Sequence, residues 1–241
     1  MSTISQIKKR GKEFVRGRSF PIAFNLVFLA LIVELVMSMM VNGSGRMNWI
    51  RGVAAGDIVA SVGEIRSLLL ALLGMQLVID IVLGVFMIGA GWAFVQWRVT
   101  NTPPKNQYRA SLRFWRKDVV MDSVVLIAVR LFFLTLWTML LVVPGIIKQY
   151  SYSQATFLYA EDVAAGRQIK SAGAYLKASA QLMRGHKMEL FALQLSFIGW
   201  FILDLLTMKM SSLYSRPYYT AATAEFFLAL RVQKQVNDDK Q

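Results

Sequence analysis

The chain has 241 residues, 56% of them hydrophobic and 17% charged, with a formal net charge of +13. Soluble domains carry about 25% charged residues, whereas here the apolar excess falls in blocks near the roughly 20 residues that cross a bilayer core. With no cysteine and a single histidine, His186, disulfides, thiolate metal sites and multi-histidine zinc sites are excluded, and the basic excess reads as inner-loop charge facing anionic lipid headgroups.

The N-terminal "KKRGKEFVRGR" precedes an apolar stretch, the order of a secretory signal. That stretch exceeds the roughly 7–15 residues of a signal core. It also contains Glu34, and no small-residue cleavage site follows "VMSMMVNG", so a retained first span is expected over residues 20–41. Upstream, Ile4, Ile7, Phe14 and Val15 predict an amphipathic helix on the inner surface. Residues 42–67 are Gly-rich and mildly amphipathic, without a metal-ligand cluster. A second span is expected over 68–95, long enough to need tilt. The segment "TNTPPKNQYRASLRFWRK" opens as a Pro-Pro loop and turns basic and aromatic through Arg109, Arg113 and Arg116. Lying between two spans, it reads as an inner loop and not as a nucleic-acid surface.

A third span is expected over 119–143. In "LVVPGIIKQYSYS", Pro144 disfavours helix at the residue before it and Gly145 tolerates a left-handed turn. The chain is therefore expected to reverse at Pro144-Gly145; the alternative is a re-entrant break lining a polar cavity. Lys148, Tyr150 and Tyr152 suit a headgroup-level boundary at the outer mouth of a short fourth span over 146–159. Between 163 and 184, Ile169, Ala172, Gly173, Leu176, Ala180 and Met183 share one helical face, beside a stripe of Lys170, Lys177 and Arg184. This predicts either a helix along the inner surface whose basic side chains contact lipid headgroups, or a cytoplasmic helix packed on the bundle. A fifth span is expected over 189–208 and a short sixth over 217–232, where "TAATAEF" supplies small residues for close helix approach.

Six spans place residues 1–19, 96–118, 160–188 and 233–241 on one side, with 19 Lys and Arg against 6 on the other. Removing the fourth span would move the basic segment 160–188 outside, against the positive-inside bias. The expectation is an all-α polytopic transmembrane helix bundle of about six spans with cytoplasmic amphipathic helices, forming a single domain with both termini cytoplasmic.

Ionisable residues at membrane depth are costly, about 2.5–3.5 kcal/mol at a helix centre on insertion scales. Asp80 and Arg130 fall near the middle of the second and third spans and are expected to pair across them. Glu34 and Asp204 fall toward the outer ends of their spans and Glu225 lies within the last. Together these five residues read either as a proton or ion path or as one structural ion pair with boundary carboxylates. No G-x-S-x-G, P-loop or H-E-x-x-H motif occurs, and His186 in "MRGHK" has no evident partner. A noncatalytic protein without cofactor is expected.

The runs "LWTMLLVVPGIIKQYSYSQATFLYAED", "SAGAYLKASAQLMRGHKMELFALQLSFIGWFILDLLT" and "RPYYTAATAEFF" resemble the domain-of-unknown-function 975 family of bacterial integral membrane proteins, mostly from Firmicutes. The resemblance is strong over residues 134–228 and weaker over 4–40. It implies a multi-pass protein of the bacterial plasma membrane in which VPGI is a recurring turn, and it brings no activity or site residues. The expected function is binding of lipid, a membrane-protein partner or a second copy, in an envelope-maintenance role. The alternative is a small transporter or channel subunit using Asp80 and Arg130.

Overall fold

The computed structural model describes residues 4–43, 46–56, 62–207 and 209–239. In chain order the helices are α1 (Ile4–Phe14), α2 (Phe20–Gly43), α3 (Arg46–Ala55), α4 (Val62–Thr100), α5 (Gln107–Ser111), α6 (Val120–Leu140), α7 (Val142–Ser151), α8 (Ala155–Ala164), α9 (Ala172–Leu182), α10 (Lys187–Leu195), α11 (Ile198–Leu206) and α12 (Ser212–Asp238). No strand occurs among the described residues. Four stretches are long and apolar enough to cross a membrane: Gly17–Met37, Ile65–Thr100, Val120–Leu140 and Lys187–Leu206. The last of these is α10 and α11 with a break at Ser196-Phe197; Met208, the end of the expected fifth span, lies outside the described residues.

α12 runs through the core. Its Ala221, Ala222, Ala224, Phe226, Phe227 and Leu230 are buried. Small residues let neighbours approach: a Cβ on Gly11 of α1 would sit 3.0 Å from the Ala222 backbone. The expected last span lies inside this longer helix, which continues through Pro217. The low hydropathy of the segment is tolerable because protein, not lipid, surrounds most of it.

The apolar side chains of the outer part of the bundle stay exposed, among them Leu69, Leu70 and Leu73 on α4, Phe132 and Leu136 on α6, and Leu205 and Leu206 on α11. An exposed aliphatic belt of this kind suits lipid as solvent. α4 has 39 residues, about 58 Å of helix, and overshoots the expected second span at both ends.

The reversal after α6 differs from expectation in its chemistry. Leu141, with φ −158° and ψ 135°, is the extended residue that breaks the helix. Pro144 occupies the third position of α7, where its missing N–H belongs to a helix's free donors. Gly145 is not left-handed. It is buried, and a Cβ there would lie 2.5 Å from Thr138 Oγ1 and 2.8 Å from Thr138 Cα. The glycine thus permits α7 to fold tightly back on α6.

The expected fourth span falls on two ten-residue helices, α7 and α8, interrupted at Tyr152–Gln154. The Lys148 ammonium lies 4.6 Å from the centroid of the Trp137 ring, and the residue shares a groove with Arg184 and Lys187. The expected helix over 163–184 divides in two, because Gly166 (φ +63°) ends α8 and Ser171 caps α9 by accepting the Ala174 N–H at 3.3 Å.

Candidate functional site

α4 and α6 cross antiparallel. Phe86 of α4 meets Trp115 just before α6, with ring centroids 4.9 Å apart, and Gly84 meets Ile127, whose Cδ1 would be 2.8 Å from a Cβ. One turn further along, Asp80 and Arg130 open on one cavity of about 430 Å³. Gln149 of α7, Thr156 of α8 and Thr220 and Thr223 of α12 add polar groups, while Met87, Leu131 and Phe157 form apolar wall. The volume falls in the range of small-molecule sites.

The expected Asp80–Arg130 ion pair does not form: both side chains face the cavity, and no contact within 4.0 Å joins them. Asp80 Oδ1 instead accepts from Gln76 Nε2 at 3.0 Å. The buried Nε of Arg130 has no hydrogen-bond partner among the described residues. The geometry is two opposite charges on facing helices with space between them, not a closed bridge.

The other carboxylates named from the sequence sit elsewhere, each with its own partners. Glu34 receives Lys209 Nζ at 2.8 Å and Arg216 Nη2 at 2.7 Å. Asp204 accepts from the Ser211 and Ser215 hydroxyls. Glu225, almost fully buried, holds Arg98, which also donates to Glu13 at 3.1 Å and to the Arg10 carbonyl at 2.8 Å. None of the three lines the cavity, so the five residues do not form one path.

On the α8–α9 side, Lys170 is not on a helix and pairs with Asp162 at 3.2 Å, while Lys177 and Arg184 remain exposed. Asp162 also takes Arg167 at 3.0 Å and the Tyr175 hydroxyl at 3.0 Å. Burial, above all, pushes the Tyr175 phenol up to about 12; the Lys170 N–H it accepts opposes this, and the Asp162 carboxylate adds to it. His186 does have a partner, Glu189 Oε1 at 3.2 Å from Nδ1, an (i, i+3) neighbour at the start of α10.

Three features escaped the sequence reading. Arg98 was only one of the basic residues of the segment 96–118, yet it organises the Glu225 site; a buried Glu in a late helix was the available signal. Ser179, fully buried on α9, bridges the α7–α8 break: its hydroxyl donates to the Ser151 carbonyl at 2.7 Å and accepts the Gln154 N–H at 3.1 Å. The basic segment between the second and third spans turns Phe114 and Trp115 inward, Phe114 lying 5.8 Å from the Tyr159 ring and Trp115 against Phe86, while Tyr108 stays exposed.

The family model described as "Protein of unknown function (DUF975)" matches residues 51–234, well before the point where the resemblance read from the sequence became strong. The chain belongs to this family. No curated protein and no solved structure matches it.

Proposed function

We propose that the chain is a noncatalytic, multi-pass protein of a bacterial plasma membrane whose working part is the cavity at Asp80 and Arg130, where it binds a small polar solute or a lipid headgroup. That cavity, reached by two ionisable side chains on apolar helices, is the observation that carries the reading, because intramembrane charges without protein partners mark binding sites and ion pathways. We place six crossings, formed by α2, α4, α6, α7 with α8, α10 with α11, and α12. Both termini are then cytoplasmic and Lys177 and Arg184 face the inner surface, where anionic headgroups are the partners. The exposed belt on α4, α6 and α11 is covered by lipid, a protein partner or a second copy.

The second reading is a transporter or channel subunit. It is favoured by Asp80 and Arg130 lining one cavity from antiparallel helices. Purified protein in detergent is titrated with small charged solutes by calorimetry, and the same solutes are tested for flux in proteoliposomes. Binding without flux supports the first reading; flux abolished by Asp80→Asn supports the second. Absence of both, in protein that is monodisperse and folded, refutes the cavity as the working part. The lack of native cysteine allows single-cysteine labelling: Lys177→Cys is expected to react with a membrane-impermeant reagent only after the cells are opened.

A further inference from the structure

Resting on the reading of the cavity as a binding site, we infer that its ligand is dipolar: a compound with an anionic group at one end, held by Arg130, and an ammonium at the other, held by Asp80. Elsewhere most of the enclosed carboxylates contact a cation, and Asp204 is held by the Ser211 and Ser215 hydroxyls. Glu34, Glu161, Asp162 and Glu225 each contact at least one Arg or Lys. In the cavity, two opposite charges line one space and form no ion pair with each other. Arg130 keeps a buried Nε without a partner, and Asp80 has only the amide of Gln76. An unpaired guanidinium is costly at membrane depth, and a carboxylate or phosphate meets its fork by charge-assisted hydrogen bonds.

The remaining lining fits the other end of such a molecule. The Thr220 hydroxyl donates to the Arg216 carbonyl at 2.9 Å, and the Thr223 hydroxyl donates to the Thr220 carbonyl at 2.8 Å. With their protons so used, both hydroxyls offer the cavity lone pairs, which an ammonium can fill. Phe157 and Leu131 give an apolar surface for a short methylene chain. A volume of about 430 Å³ holds a small amino acid with space to spare. A soluble ω-amino acid and the phosphoethanolamine headgroup of a bilayer lipid share this chemistry.

The test is calorimetric titration of the detergent-purified protein. The probes are glycine, β-alanine, 4-aminobutyrate and 5-aminopentanoate, with O-phosphoethanolamine for the headgroup and butyrate and butylamine as single-charge controls. At least one dipolar compound is expected to bind about tenfold or more tighter than both controls, with an optimum chain length. Asp80→Asn is expected to reduce that advantage to less than about threefold. Arg130→Gln is expected to abolish binding, and Arg130→Lys to retain part of it if the glutamine variant is misfolded. A preference for O-phosphoethanolamine, reproduced by co-purified phosphatidylethanolamine, assigns the lipid source; a preference for an ω-amino acid assigns the solute. Equal binding of butyrate and the dipolar compounds overturns the dipolar ligand while leaving a binding cavity in place. No binding by any probe, and no co-purified phosphatidylethanolamine, overturns both.

Discussion

Replacing Arg98 by alanine is expected to be among the most destabilising single changes in the chain. Arg98 bonds Glu225, Glu13 at 3.1 Å and the Arg10 carbonyl at 2.8 Å, and its guanidinium lies 4.5 Å from the Phe14 ring centroid. The Glu13 contact is exposed and worth about 0–1 kcal/mol; the ring contact adds about 1 kcal/mol. The dominant effect is Glu225, whose side chain is 3% exposed. Without Arg98 the buried carboxylate loses its one direct ion pair and keeps only Arg10 across the same groove, a situation that costs up to about 3–5 kcal/mol. Neutralising it should recover much of that loss, so Arg98→Ala with Glu225→Gln should be about 2 kcal/mol more stable than Arg98→Ala alone. Unfolding in mixed micelles with increasing SDS, followed by tryptophan fluorescence, measures each corner of the cycle. Arg116→Ala serves as the control, since its pair with Asp118 is exposed on both sides and should be worth less than about 1 kcal/mol. If the double variant is no more stable than Arg98→Ala, the buried carboxylate is not the source of the loss and the reasoning fails.

Ser179→Ala should cost about 2–4 kcal/mol in the same assay, because it leaves both the Ser151 carbonyl and the Gln154 N–H buried and unpaired; a loss near zero would show that the α7–α8 break needs no bridge. Gly89→Ala should cost about 3 kcal/mol or more, since its Cβ would fall 2.0 Å from the Ser111 carbonyl oxygen; protein that purifies with wild-type stability would place α5 elsewhere. Tyr175 ionises in the folded state near 12, above the usual value of 10. Its stabilising effect is therefore complete below about pH 10 and is lost as pH rises from there toward 12. Wild-type stability should fall across that window more steeply than that of Tyr175→Phe, and parallel curves would refute the assignment.

The helical class and the apolar stretches were legible because a bilayer imposes a length and a composition that a one-dimensional scan detects. α2, α6 and the α10–α11 stretch fall where hydropathy puts them. The position of breaks was less legible. Pro144 and Gly145 marked the right neighbourhood, but the break falls at Leu141, since proline is harmless in a helix's first turn and the glycine is there for Thr138. The break at Tyr152–Gln154 carries no proline or glycine at all. It is stabilised by Ser179, some 25 residues away, and no local pattern reports a hydroxyl that arrives from another helix.

Charge pairing was the least legible feature, for a geometric reason. Asp80 and Arg130 attract attention because each sits in the middle of an apolar run, and a pair is the cheapest expectation for two such residues. Whether they close on each other depends on the separation and rotation of α4 and α6, which Gly84 and Ile127 set together with α8 and α12. Glu225 found its cation in Arg98, which lay beyond the expected end of the second span in the basic segment 96–118. The protein thus neutralises the buried Glu225 carboxylate where α1, α4 and α12 meet, on the helix that also lines the cavity. Thr223 and Thr220 belong to the same helix as Glu225, about half a turn and one and a half turns before it. α12 therefore links the Arg98–Glu225 ion pair to the cavity at Asp80 and Arg130, and loosening that contact should disturb the cavity's polar wall along with the fold.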